Sequence, residues 1–139
     1  MSNTLELVRE VVLDPRLSGF AVAVFGGWAE ELLAVIPPRH HADIDLLIFD
    51  ADTNRLDAFL AQQSEIVDKR LSHKRAFTTH GVMVELFLVV GDTTTFWDRL
   101  LYRWPEAEPI EVDGLPVAPR DYLAAYRRDY ATIRAATTC

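Results

Sequence analysis

The sequence predicts an α+β fold, α/β-like in its first half, with a mixed β-sheet flanked by helices. Three observations carry that expectation. Apolar runs of strand length alternate with amphipathic helical segments at first, strands then follow directly on strands, and glycine and proline mark the joins. The 139 residues suit one domain over 1–139, enough chain for a single core but not for two.

Thr4 suits the cap of a helix running to about Leu13, with Leu5, Val8, Val11 and Val12 on one side. Pro15 and Gly19 end that unit. Phe20 to Phe25 reads as a short apolar strand, which Gly26-Gly27 turns into a helix from about Trp28 to Ile36; Pro37-Pro38 stops it. The loop Arg39-His40-His41-Ala42 delivers a strand from Asp43 to Phe49. Asp52 or Thr53 caps the next helix, with Leu56, Phe59 and Leu60 inward. Glu65 to Leu71 and Lys74 to Thr79 read as a strand pair, and His80-Gly81 turns the chain into a strand from Val82 to Val90. Thr93 to Trp104 reads as a helix, broken by Pro105 and Pro109. Asp113-Gly114 centres a small hairpin, and Pro119 suits the first turn of a final helix reaching about Ala136.

Composition excludes several classes. Cys139 is the only cysteine, so an internal disulfide, a thiolate zinc site and a cysteine nucleophile are all disfavoured. The first residues lack the pattern of a signal peptide, and no apolar run approaches the roughly 20 residues of a membrane helix. A cytoplasmic protein without a membrane partner is the default. The formal net charge of -7 disfavours duplex nucleic acid and leans toward a cationic or neutral partner.

The chemistry concentrates in two apolar strands that contain carboxylates. Asp43 and Asp45 stand at the mouth of one strand, and Glu85 lies in the middle of Val82 to Val90. Burying an ionised carboxylate there is costly unless a cation or a donor meets it. Side chains two apart on a strand share a face, so Asp43 and Asp45 point the same way, about 6.6 Å apart along the backbone. That spacing suits one or two hard divalent cations, and a Glu85 strand lying alongside would bring all three carboxylates together. Two plainer arrangements would also accommodate these charges: a solvated strand end for the aspartates, and a salt bridge from Glu85 to Lys74 or Arg75. Gly26-Gly27 offers backbone N–H groups at a helix start, a place that can take phosphate.

Gly26-Gly27-Trp28-Ala29, then Arg39-x-His41-x-Asp43-x-Asp45-Leu46, then Glu85 inside a later apolar strand, together resemble the DNA polymerase β-like nucleotidyltransferases. The likeness is nearest to the small lincosamide and aminoglycoside adenylyltransferases, and it spans about Phe20 to Val90. It implies a nucleotidyltransferase fold, ATP or another nucleoside triphosphate as substrate, two Mg²⁺ ions and a hydroxyl-bearing acceptor. Asp43 and Asp45 would be metal ligands. Glu85 would be a third ligand or the base that takes the acceptor's proton. Gly26 and Gly27 would pack on the triphosphate, with Arg39 and His41 bracing that site or touching phosphate. Two departures stand out: Glu31 replaces the relatives' usual Asp, and Gly27 replaces a serine common among wider relatives. The chain is short for an antibiotic-modifying enzyme, which leaves room for a homodimer to complete the acceptor pocket. The alternative function is a nucleotidyltransferase-like binding protein, antitoxin-like, that does no chemistry.

The remaining polar and aromatic residues read as structural. His40, His73 and His80 are expected at the surface or in turns, and Lys74 at a sheet edge unless it reaches phosphate. Tyr122, Tyr126 and Tyr130 form one helical stripe for core packing or an acceptor wall. Trp97 and Trp104 suit either use. Arg120, Arg127, Arg128 and Arg134 are expected on the final helix's solvated face.

Overall fold

Helix α1 (Leu5–Val12) starts where Thr4 turns its hydroxyl onto the Leu7 amide, at 3.2 Å. Leu7, Val8, Val11 and Val12 are its buried residues, Leu7 taking the place expected for Leu5. Strand β1 (Ala21–Phe25) runs straight into α2 (Gly26–Leu32). That helix ends before the expected Ile36 because Ala34 turns left-handed, at φ 57°. The Val35 amide then bonds back to the Glu30 carbonyl and the Ala34 amide to the Glu31 carbonyl, a Schellman ending with alanine in the glycine place.

Strand β2 (Asp43–Phe49), helix α3 (Thr53–Leu60), and strands β3 (Glu65–Leu71), β4 (Lys74–Thr79) and β5 (Val82–Val89) follow as expected. His80 and Gly81 are both left-handed, at φ 50° and 76°, and make the tight turn from β4 to β5. Asp52 caps α3 by accepting the Asn54 and Arg55 amides. Asp52→Ala should therefore cost about 1 kcal/mol, read as a melting temperature lower by roughly 3 °C.

The segment from Thr93 to Trp104 corrects the expectation of a helix. It forms a ribbon of β6 (Thr93–Phe96) and β7 (Leu100–Arg103), paired antiparallel as a separate two-stranded sheet. Thr93-Thr94-Thr95 is a β-branched run that suits a strand, and Trp97 and Asp98, at φ 52° and 56°, make the reversal without glycine. Strands β8 (Ile110–Val112) and β9 (Leu115–Val117) are the expected hairpin, and α4 (Arg120–Ala135) closes the chain. The computed structural model describes residues 3–63 and 65–136.

Among the described residues the main sheet has seven strands in the order β3-β4-β5-β2-β1-β9-β8. It is mixed: β2 is antiparallel to β1 and parallel to β5. On one face Ile44, Leu46, Ile48, Val84 and Leu86 are buried, and Phe77 meets Phe59 of α3 edge to face. On the other face α4 sets Tyr126 against Phe25 and Phe87. No helix among the described residues is long and apolar enough to cross a membrane.

Candidate active site

Strands β2 and β5 are neighbours, and their register places Asp45 directly opposite Glu85. Paired residues share a face, and Asp43 stands two residues from Asp45, so all three carboxylates lie on the α4 side of the sheet. They line one cleft of about 260 Å³ with His73, Lys74, Phe87, Phe96, Trp97, Tyr126, Tyr130 and Arg134. Asp43 is exposed, Asp45 half-buried, and Glu85 9% exposed. Of the rival salt bridges, one exists: Lys74 Nζ donates to Glu85 Oε2 at 2.9 Å. Arg75 instead meets Asp57 of α3. Among the described residues no three or more His, Cys, Asp or Glu side chains are gathered as a metal site. The donor chemistry nevertheless suits a hard cation, since Asp43 and Asp45 offer carboxylate oxygens from one strand face.

The glycine pair sits against this row. Gly26 is left-handed at φ 61°, and a β-carbon there would run into the Asp45 carboxylate. At Gly27 a β-carbon would stand 2.7 Å from His41 Nδ1 and 3.2 Å from Arg39 Nη2. Both glycines thus let backbone approach the expected site residues where any side chain would intrude. No side chain caps the start of α2.

His41 is buried, and two neighbours fix its ring. Its Nε2 lies 2.9 Å from Glu31 Oε1, and its ring packs on Trp28 with centroids 4.4 Å apart. The same Glu31 oxygen accepts the Arg39 amide at 3.0 Å. Burial opposes ionisation of Glu31, but the Arg39 amide and His41 hold its carboxyl below the ordinary range. Glu31 therefore braces the loop that carries Arg39 and His41. Asn3 completes the brace. Its amide nitrogen donates to the backbone carbonyls of His41 and Asp43, and its oxygen accepts from Trp28 Nε1, each at 3.0 Å. Nothing in the sequence marks Asn3, because its partners are 25 to 40 positions away.

His73 stands in the turn between β3 and β4, one of the two places expected for it, but as a buried cleft residue at 1% exposure, its ring tilted against Phe96 and Trp97 with centroids 5.2 and 4.6 Å away. Its Nδ1 accepts the Trp97 amide at 3.3 Å. Lys74 is no edge residue, since β4 lies between β3 and β5. All four arginines of α4 are exposed, as expected; Arg128 pairs with neighbouring Asp129, Arg127 also binds Glu30, Arg120 donates to the Leu33 carbonyl, and Arg134 lines the cleft. The tyrosine stripe divides: Tyr122 is buried and stacked on Trp104, whereas Tyr126 and Tyr130 line the cleft. Burial first, then Tyr130, Asp45 and Glu85, push the Tyr126 hydroxyl well above the usual range, so it stays a proton donor.

Burial, then the Lys74 charge, lowers His73 from 6.5 to about 4. Between those values the unfolded chain binds a proton at His73 and the native one does not, so stability should fall as pH drops through that window. Denaturation at pH 7 and pH 4 should show a loss of about 1–3 kcal/mol that His73→Gln reduces.

Neither the protein-family models nor the curated protein sequences match this chain. Solved structures do. The lincomycin-bound lincosamide antibiotic adenylyltransferase LnuA is 12% identical, with a TM-score of 0.74, over 99% of this chain and 99% of that one. ANT(2")-Ia, solved with adenylyl-2"-tobramycin, is 16% identical, with a TM-score of 0.65, over 91% of this chain and 75% of that one. The fold is that of the nucleotidyltransferases.

Proposed function

We propose that this protein is a nucleotidyltransferase that moves a nucleoside monophosphate, AMP in the simplest form, from a nucleoside triphosphate to an acceptor hydroxyl. One observation carries the reading: Asp45 and Glu85 share a register position while Gly26 abuts the Asp45 carboxylate, on the adenylyltransferase fold. In the transfer, a bond forms from the acceptor oxygen to the α-phosphorus as the bond to pyrophosphate breaks. Asp43 and Asp45 would hold Mg²⁺, which when bound neutralises phosphate charge and acidifies the acceptor hydroxyl. Glu85 would take the hydroxyl proton, its carboxylate oriented by Lys74. Gly26 and Gly27 leave room for the triphosphate at the start of α2, with Arg39 beside it and His41 as the brace.

Calorimetry with ATP, with and without Mg²⁺, tests this first, followed by transfer from α-labelled ATP to an acceptor panel. The expected result is binding that strengthens at least about tenfold with Mg²⁺. Binding indifferent to Mg²⁺, with no transfer, would leave a binding protein instead.

A further inference from the structure

Glu85 has different neighbours on its two flanks. On β2 it faces Asp45, whereas on β4 the residue opposite is Ala76, and Lys74 comes two residues away on the same face. The small Ala76 side chain leaves the diagonal open, so the long Lys74 stem can cross to Glu85. There Lys74 Nζ meets Glu85 Oε2 at 2.9 Å and lies 4.7 Å from the centre of the Phe87 ring. The Lys74 side chain is 16% exposed and that of Glu85 12%. An ammonium held between a carboxylate and a ring face, with little water around it, is a fixed part of the cleft.

That ammonium bears on how many divalent ions the cleft can take. For Glu85 to share an ion with Asp45, the ion would have to sit against the carboxylate that already holds Lys74. Two cations a few ångströms apart in a part-buried cleft repel strongly, and more so when one is divalent. Moving Lys74 aside would forfeit both its carboxylate and its ring contact. Asp43 and Asp45 stand clear of this conflict, because β5 separates their strand from β4. Before a nucleotide enters, one divalent ion and the Lys74 ammonium together match the charge of the three carboxylates. Arg134 lines the same cleft beside Tyr130, a further fixed cation that acts in the same direction.

We infer that Lys74 stands in for one of two cations, so that the cleft takes a single divalent ion on Asp43 and Asp45. This rests on the nucleotidyl-transfer reading and departs from the pair of Mg²⁺ ions that the family resemblance implies. Lys74 is then a positioning residue, which keeps Glu85 off the metal and turned to the acceptor's proton.

Mn²⁺ is the probe, because its unpaired electrons make bound ions countable. The full chain, saturated with a non-hydrolysable ATP analogue, is titrated with Mn²⁺ and read by electron paramagnetic resonance, with ions on free analogue subtracted. Wild type should hold one ion per chain, with the spectrum of an isolated Mn²⁺. Lys74→Met, similar in length but uncharged, should hold two, with the spin coupling of ions about 4 Å apart. Lys74→Arg keeps the charge and should stay at one. Melting curves check that each variant is folded, and if Lys74→Met is not, the wild-type count decides alone. Two ions in wild type, or one in a folded Lys74→Met, would overturn the inference and leave the transfer reading standing. No Mn²⁺ bound to wild type with the analogue present would sink both.

Discussion

Asp45→Asn should abolish nucleotidyl transfer, by about a thousandfold or more, without weakening the fold. The reason is the register. Asp45 faces Glu85 across two adjacent parallel strands, and like charges so placed repel. An amide at position 45 keeps the shape, removes that repulsion, and removes the anionic oxygen a divalent cation needs. Melting without Mg²⁺ should thus occur at or above the wild-type temperature, while the gain in ATP affinity on adding Mg²⁺ disappears. Activity lost together with stability would point to a structural role for Asp45. Full activity in the variant would remove the metal mechanism altogether.

Gly26→Ala should damage both stability and site. Its φ of 61° disfavours any side chain, and the new methyl would collide with the Asp45 carboxylate and stand 3.0 Å from its β-carbon. Backbone strain plus displacement of β2 should cost about 2–4 kcal/mol, a melting temperature lower by roughly 7–14 °C. ATP binding should fall with it. Combining Gly26→Ala with Asp45→Gly should return part of the loss, since the collision goes and only the strain stays. A variant that melts within a degree or so of wild type would show that the turn does not abut the carboxylate.

Much of this arrangement is legible in the residues. The apolar run behind Asp43 and Asp45 and the apolar run around Glu85 mark two strands, and in the sheet Asp45 and Glu85 take one register position with Asp43 on the same face. The turns at His80-Gly81 and Asp113-Gly114 carry glycine where a left-handed residue is needed, so they can be read locally. Trp97-Asp98 adopts a like conformation without glycine. Moreover, Phe96, Leu100 and Trp104 fall four apart, as on a helix, which hides the ribbon. The early end of α2 is hidden in the same way, because Ala34 stands where glycine would have signalled it. His73 and Asn3 escape a local reading for a different cause. What makes each matter is a partner more than 20 positions away, and no local pattern reports such a contact.

The β6–β7 ribbon has a consequence of its own. Tyr102 binds Asp129 of α4 at 2.7 Å and Arg99 donates to the Ala136 carbonyl, so ribbon and helix are laced to each other across the top of the cleft. The carboxylate row rests instead on paired central strands. If the proposed transfer holds, mutation at the ribbon tip should reshape what the cleft admits while Asp43, Asp45 and Glu85 keep their places, so that a lineage exchanges one target compound for another by changing a few tip residues.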